Sequence, residues 1–153
     1  MAPTGYFIDS NLLVLCVAGD VNRRIIGRHR RLSRYSVDDY DRLRAMLASV
    51  RHTYVTPNTL TETSNLLAQH REPERTDLLR GLQWLIHQSK EVVIASAQAA
   101  QSDSYVRLGL ADAALLETIS AETPVITVDL GLYLEALRKD PEAAVNFEHV
   151  RGA

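Results

Sequence analysis

Four carboxylates stand far apart in this chain, each at the edge of a regular-looking segment. Asp9 ends GYFID, Glu62 sits within TPNTLTETSNLL, Asp112 opens ADAALLETIS, and Asp129 follows PVITV. Carboxylates brought close together raise one another's pKa unless a cation intervenes. A hard divalent ion, Mg²⁺ or Mn²⁺, takes oxygen ligands of this kind and keeps several waters. Such an ion can acidify a water, orient a phosphate and offset charge on a leaving oxygen, which suits phosphodiester hydrolysis. Each acid also has a plainer reading. Asp9 and Asp129 could be helix N-caps. Glu62 could complete a capping box with Thr59. Asp112 could complement a helix dipole.

The segments between the acids decide whether the four can meet. GYFID (5–9), HTYVT (52–56), EVVIA (91–95) and PVITV (124–128) are short runs of β-branched, aromatic and apolar residues, and VNFEHV (145–150) is a candidate fifth strand. Helical patterns fill the gaps. SNLLVLCVA (10–18) leads to Gly19 as a C-cap. Ser36, with Asp39 three positions on, caps a helix carrying Tyr40, Leu43, Leu47 and Val50 on one face. Thr56-Pro57 opens another, proline suiting the first helical position. Pro73 precedes a helix from about 75 to 89. AQAAQSDSYV (97–106) and ADAALLETIS (111–120) follow, divided at Leu108-Gly109, and a helix is expected over 130–139.

Strands alternating with helices predict βαβ units, a mostly parallel sheet of four or five strands and a three-layer α/β/α sandwich. Apolar strands without polar alternation fit a sheet covered on both faces. Sites in such sheets lie beyond the carboxyl ends of the strands. Asp9 and Asp129 would emerge on that edge. The helices bearing Glu62 and Asp112 begin there too.

A chain of 153 residues, 46% hydrophobic, suits one domain with a real core. No apolar run reaches the roughly 20 residues that span a bilayer. MAPTGYFIDSN has no basic region ahead of its apolar stretch, so no signal peptide is expected. The single cysteine, Cys16, reads as core within an apolar helix, and a cytoplasmic location is expected. There is no phosphate-binding G-x-x-x-x-G-K-[ST] loop, no G-x-G-x-x-G and no His/Cys spacing for zinc. Net charge is −2, yet six of the 17 basic residues crowd into VNRRIIGRHRRLSR (21–34). There Arg24, Arg28, Arg30, Arg31 and Arg34 are candidates for phosphate contact, against the plainer reading of a solvated loop.

The four acidic segments together resemble the PIN-domain ribonucleases, and among them the VapC-like toxin branch. FIDSNLLV resembles the first family motif, TPNTLTETSNLL the second, LADAALLETISAE the third and VITVDLGLY the fourth. The resemblance covers most of the chain. It implies Asp9, Glu62, Asp112 and Asp129 as catalytic metal ligands, with Asn11 and Thr127 as supporting residues. It implies Mg²⁺- or Mn²⁺-dependent endonucleolytic cleavage of RNA, homodimerisation and a cognate antitoxin protein. The segment of about 20–50, between the first two motifs, is longer than in compact toxin members and could hold substrate, a dimer contact or a partner. A degenerate module that binds RNA or protein without cutting is one rival. A phosphatase with an aspartate nucleophile is another, but such enzymes carry a second Asp two residues on, where this chain has Asn11.

Overall fold

The computed structural model describes residues 2–151. Five strands form one all-parallel sheet: β1 (Gly5–Ile8), β2 (His52–Val55), β3 (Lys90–Glu91), β4 (Val125–Thr127) and β5 (Ala144–Asn146), ordered β3-β2-β1-β4-β5. The chain first builds outward from β1 through β2 to β3. It then crosses back and builds the other half from β4 to β5. The switch of direction falls between β1 and β4, where Phe7 pairs with Val125 and Ile8 with Ile126.

Helices cover both faces. Helices α1 (Ser10–Val21), α2 (Val37–Ala48), α3 (Pro57–Leu67) and α4 (Glu74–Gln88) form the first half. Helices α5 (Ser96–Ala99), α6 (Tyr105–Leu108), α7 (Leu110–Thr118) and α8 (Leu130–Lys139) follow, and α9 (Phe147–Arg151) closes the described chain. Side chains alternate across a strand, and that alternation assigns the layers. Ile8 and Ile126 join the larger core with Leu12, Leu43, Leu78 and Phe147. Their neighbours Phe7 and Val125 face the other way, onto Leu115, Ile119, Leu132 and Ala136. A small third cluster of Ala99, Ala113 and Ala114 lets α5 lie against α7. The structure is thus the α/β/α sandwich expected. Among the described residues no helix is long and apolar enough to cross a membrane.

Local chemistry explains most element boundaries. Ser36 and Asp39 form a reciprocal capping box, Ser36 Oγ accepting from Asp39 N and Asp39 Oδ2 accepting from Ser36 N. Thr56 Oγ1 accepts from Thr59 N, with Pro57 next in line. Four expectations need correction. Gly19 is not a cap: α1 runs on to Val21, and a Cβ at Gly19 would lie 2.2 Å from the Tyr40 ring. Glycine is there so that α2 can seat Tyr40 against α1. The third strand pairs only through Lys90 and Glu91, although Val92 N still donates to Val55 O. Residues 92 and 94 are half-buried while 93 and 95 are exposed, which marks an edge segment covered on one side. The 97–106 stretch is two four-residue helices, because Ser102 Oγ takes the Ser104 N–H in the turn between them. The 145–150 stretch is strand only to Asn146; its remainder is α9.

Candidate functional site

All four acids line one cavity of about 290 Å³, together with Ser10 and Asn11, at the carboxyl end of the β1–β4 seam. Position follows from topology. Asp9 leaves β1, Asp129 follows β4, Glu62 lies in the second turn of α3, and Asp112 lies in the first turn of α7. Among the described residues that line this cavity there is no lysine, arginine or histidine.

Asp9 is buried and firmly held. Its Oδ1 accepts from Ser10 N at 2.8 Å, and its Oδ2 accepts from the Thr127 hydroxyl at 2.8 Å. Burial pushes its carboxyl up, the Thr127 and Ser10 hydrogen bonds pull it down, and Asp129 pushes it up again. Thr127 is fully buried and works twice, since its Oγ1 also accepts from Asp129 N at 2.9 Å. One hydroxyl therefore fixes the first acid by its side chain and the last by its backbone. Asp129 caps α8, its Oδ1 accepting from Leu132 N at 3.1 Å. The capping readings of Asp9 and Asp129 hold, and each still presents a carboxylate to the cavity.

Glu62 and Asp112 cap no helix, although Asp112 stands in the first turn of α7, where its charge complements the helix dipole. The cap of α3 is Thr56, so Glu62 does not complete a capping box, and it is exposed at the cavity rim. Burial and the nearby Asp9 push its carboxyl up. Asp112 accepts no hydrogen bond from any described residue. Burial first, then Asp9, Asp129 and Glu62, push it up to about 7.

The donor set consists of carboxylate, amide and hydroxyl oxygens, which fits a hard divalent ion that retains waters. Among the described residues no three of these side chains converge closely enough to form a ready chelate. The acids line the wall of the cavity rather than meeting at a point. Two further features escaped the sequence. Ser10 supplies the backbone N–H that holds Asp9. Gly109 borders the cavity with φ +91° and ψ 172°, a backbone region open essentially to glycine. Its position in the sequence signals only a helix break.

The arginine segment lies elsewhere. It follows the far end of α1, a helix of about 18 Å by its length. It folds as two short 3₁₀ turns with Ile25, Ile26, His29 and Leu32 buried beneath. Arg28 pairs with Glu74, Arg34 with Glu148, and Arg31 Nε donates to Gln69. Arg24 and Arg30 are exposed and have no side-chain partner among the described residues. None of these arginines borders the acidic cavity. Cys16 is fully buried, its thiol pushed up to about 12 by burial, and is core as expected.

No family model matches the chain, and no curated protein does. The fold is similar to the crystal structure of PAE2754 from Pyrobaculum aerophilum, with a TM-score of 0.56. The match covers 96% of this chain and 92% of that one at 17% identity, a likeness of fold.

Proposed function

We propose that the chain is a divalent-metal-dependent endoribonuclease that hydrolyses RNA phosphodiester bonds. The observation that carries this reading is the gathering of four carboxylates in one cavity at the sheet's switch point, with no basic side chain among its described lining residues. Such a cluster calls for a cation, because each acid raises its neighbours. Capping alone does not account for Glu62 or Asp112, which cap nothing, although Asp112 complements the dipole of α7.

Asp9, Asp112 and Asp129 would hold Mg²⁺ or Mn²⁺ in part through its retained waters, since the acids line the cavity wall without meeting at a point, with Glu62 contributing directly or through water. The ion supplies positive charge for the phosphodiester and lowers the pKa of water. The chain's own residues do the positioning. Thr127 locks Asp9 in one rotamer through Oδ2 and holds the turn that presents Asp129. Outer partners of this sort are worth roughly 10–100-fold in metal affinity or activity. Asn11 stands at the cavity wall as an uncharged oxygen or N–H donor. An amide two residues after Asp9, where an aspartate-nucleophile phosphatase needs a second acid, favours the nuclease reading.

The resemblance to PIN-domain nucleases of the VapC-like branch extends the proposal to a cytoplasmic toxin, homodimeric and restrained by a separate antitoxin. The test is cleavage of mixed single-stranded RNA by purified protein with Mn²⁺, with Mg²⁺ and with chelator. Cutting should require the metal and vanish in Asp9→Asn and Asp112→Asn, whose amides are isosteric but poor ligands for a hard ion. Metal-independent cutting, or cutting retained in both variants, would overturn the reading.

A further inference from the structure

The acidic cavity shares a wall with a second depression, of about 420 Å³, lined by Pro57, Asn58, Thr61, Glu62, Leu110 and Ala111. Glu62, Leu110 and Ala111 belong to both. The neighbour differs in chemistry. Its one charge is Glu62, on the shared seam. Pro57, Leu110 and Ala111 give it apolar walls. Asn58 is half-buried at the second position of α3, and its amide has no hydrogen-bond partner among the described residues. Thr61 donates its hydroxyl to Pro57 O at 2.9 Å, so its Oγ1 is left able to accept.

A phosphate in this second depression would meet Glu62 and no cation. A neutral, flat group with hydrogen bonds on its edge meets apolar walls and an open amide. We propose that this depression is a nucleobase subsite, holding the base beside the scissile phosphate, with Asn58 reading its edge. The inference rests on the nuclease reading and names the part of the substrate that the same site grips. Single-stranded RNA is recognised through bases splayed from the stack and bonded along their edges. An asparagine amide matches the N6 donor and N7 acceptor of adenine in two parallel hydrogen bonds. Adenine is therefore the favoured occupant.

The experiment follows the Leu110 and Ala111 methyl signals and the Asn58 side-chain amide by NMR. Probes are AMP, GMP, CMP, UMP and inorganic phosphate, each with Mg²⁺. The methyls should shift with nucleotides and not with phosphate alone, and most tightly with AMP. Asn58→Ala, a half-exposed change to a good helix former, should weaken AMP roughly tenfold and level the four, as loss of one bidentate contact predicts. Cleavage beside A should fall in the same variant relative to the other bases. Equal shifts with phosphate alone, or a base ranking unchanged in Asn58→Ala, would overturn the subsite. The two readings separate cleanly. Base-dependent shifts in a protein that cuts nothing would uphold the subsite and remove the nuclease. Metal-dependent cutting with silent methyls would do the reverse.

Discussion

Asp112 feels the charges of Asp9, Asp129 and Glu62 together, and no described residue hydrogen-bonds it. Its replacement should therefore have two opposite effects. Asp112→Asn should raise the melting temperature of the metal-free protein, because one of four mutually repelling charges is gone. It should also shrink the stabilisation that Mg²⁺ or Mn²⁺ gives, because stabilisation by a ligand follows its affinity for the native state. Thermal melts with and without metal read both, and a metal-free melting temperature that falls would contradict the assigned repulsion. His29 offers an independent test away from the cavity. Its ring is buried, Nδ1 accepts from Arg31 N at 3.1 Å, and it stacks on His70 with centroids 5.1 Å apart. Burial, then His70, lower its pKa below 6.5; the Leu66 backbone opposes this, and Arg31 and Arg30 add to it. The unfolded chain then takes up this proton before the folded one does. Stability from this site is present above pH 6.5 and is lost as pH falls below it. The raised carboxyls of Asp112 and Glu62 act the other way, since the folded chain takes up their protons first as pH falls. The His29 contribution is therefore read as a difference: in chemical denaturation from pH 7.5 to 5, the native protein should lose stability relative to His29→Asn, which keeps an acceptor in place. The four acids were legible in the sequence because each follows a recognisable strand or opens a recognisable helix. His29 was not: a histidine among arginines carries no sign that it will be buried under them.

Helix α7 owes its placement to a single residue. Gly109 sits at φ +91° and ψ 172°, and it alone separates α6 from α7. A Cβ there would meet no atom within 4 Å, so the obstacle to substitution is backbone strain and not crowding. Gly109→Ala should cost about 1–3 kcal/mol. If the chain relaxes by turning the start of α7, Asp112 moves with it, and metal-dependent cleavage should fall by more than the lost stability explains. Comparing melting temperature with cleavage rate in this variant separates the two effects, and full activity at lowered stability would mean that the turn merely joins helices. The long helices could be read from the sequence because caps and apolar periodicity agree in them, as at Ser36 and Thr56. The stretch from 91 to 109 could not. EVVIA has the composition of a buried central strand, but its place at the sheet edge leaves most of it without a ladder. AQAAQSDSYV has helical composition, and its serines divert the backbone bonds. In both cases the deciding fact is what lies alongside, and composition does not contain it.

Across the whole molecule, negative charge gathers at the β1–β4 seam while the densest basic segment lies past the far end of α1. Most of its arginines hold the segment to the body, Arg23 to Asp41, Arg28 to Glu74 and Arg34 to Glu148. Exposed pairs of this kind are each worth at most about 1 kcal/mol. On the proposed nuclease reading, RNA contact should therefore depend on Arg24 and Arg30, which have no side-chain partner among the described residues. Arg24→Ala with Arg30→Ala should lower RNA affinity and reduce the salt slope of binding by up to about 1.4, at roughly 0.7 per phosphate for a single strand. Arg28→Ala with Arg34→Ala should mainly lower the melting temperature. Equal affinity for all three proteins at low salt would make the segment purely structural. The hydrogen bond from Thr127 to Asp9 joins positions 118 residues apart, and this has a consequence for how the protein is made. A ribosome delivers Asp9 fully 118 residues before Thr127. Pairings of such separation close slowly, after the local helices have formed. A growing chain would carry α1, α2 and α3 beside an incomplete cavity. Until residues 125–139 emerge, such a chain would lack both Asp129 and the hydroxyl that fixes Asp9.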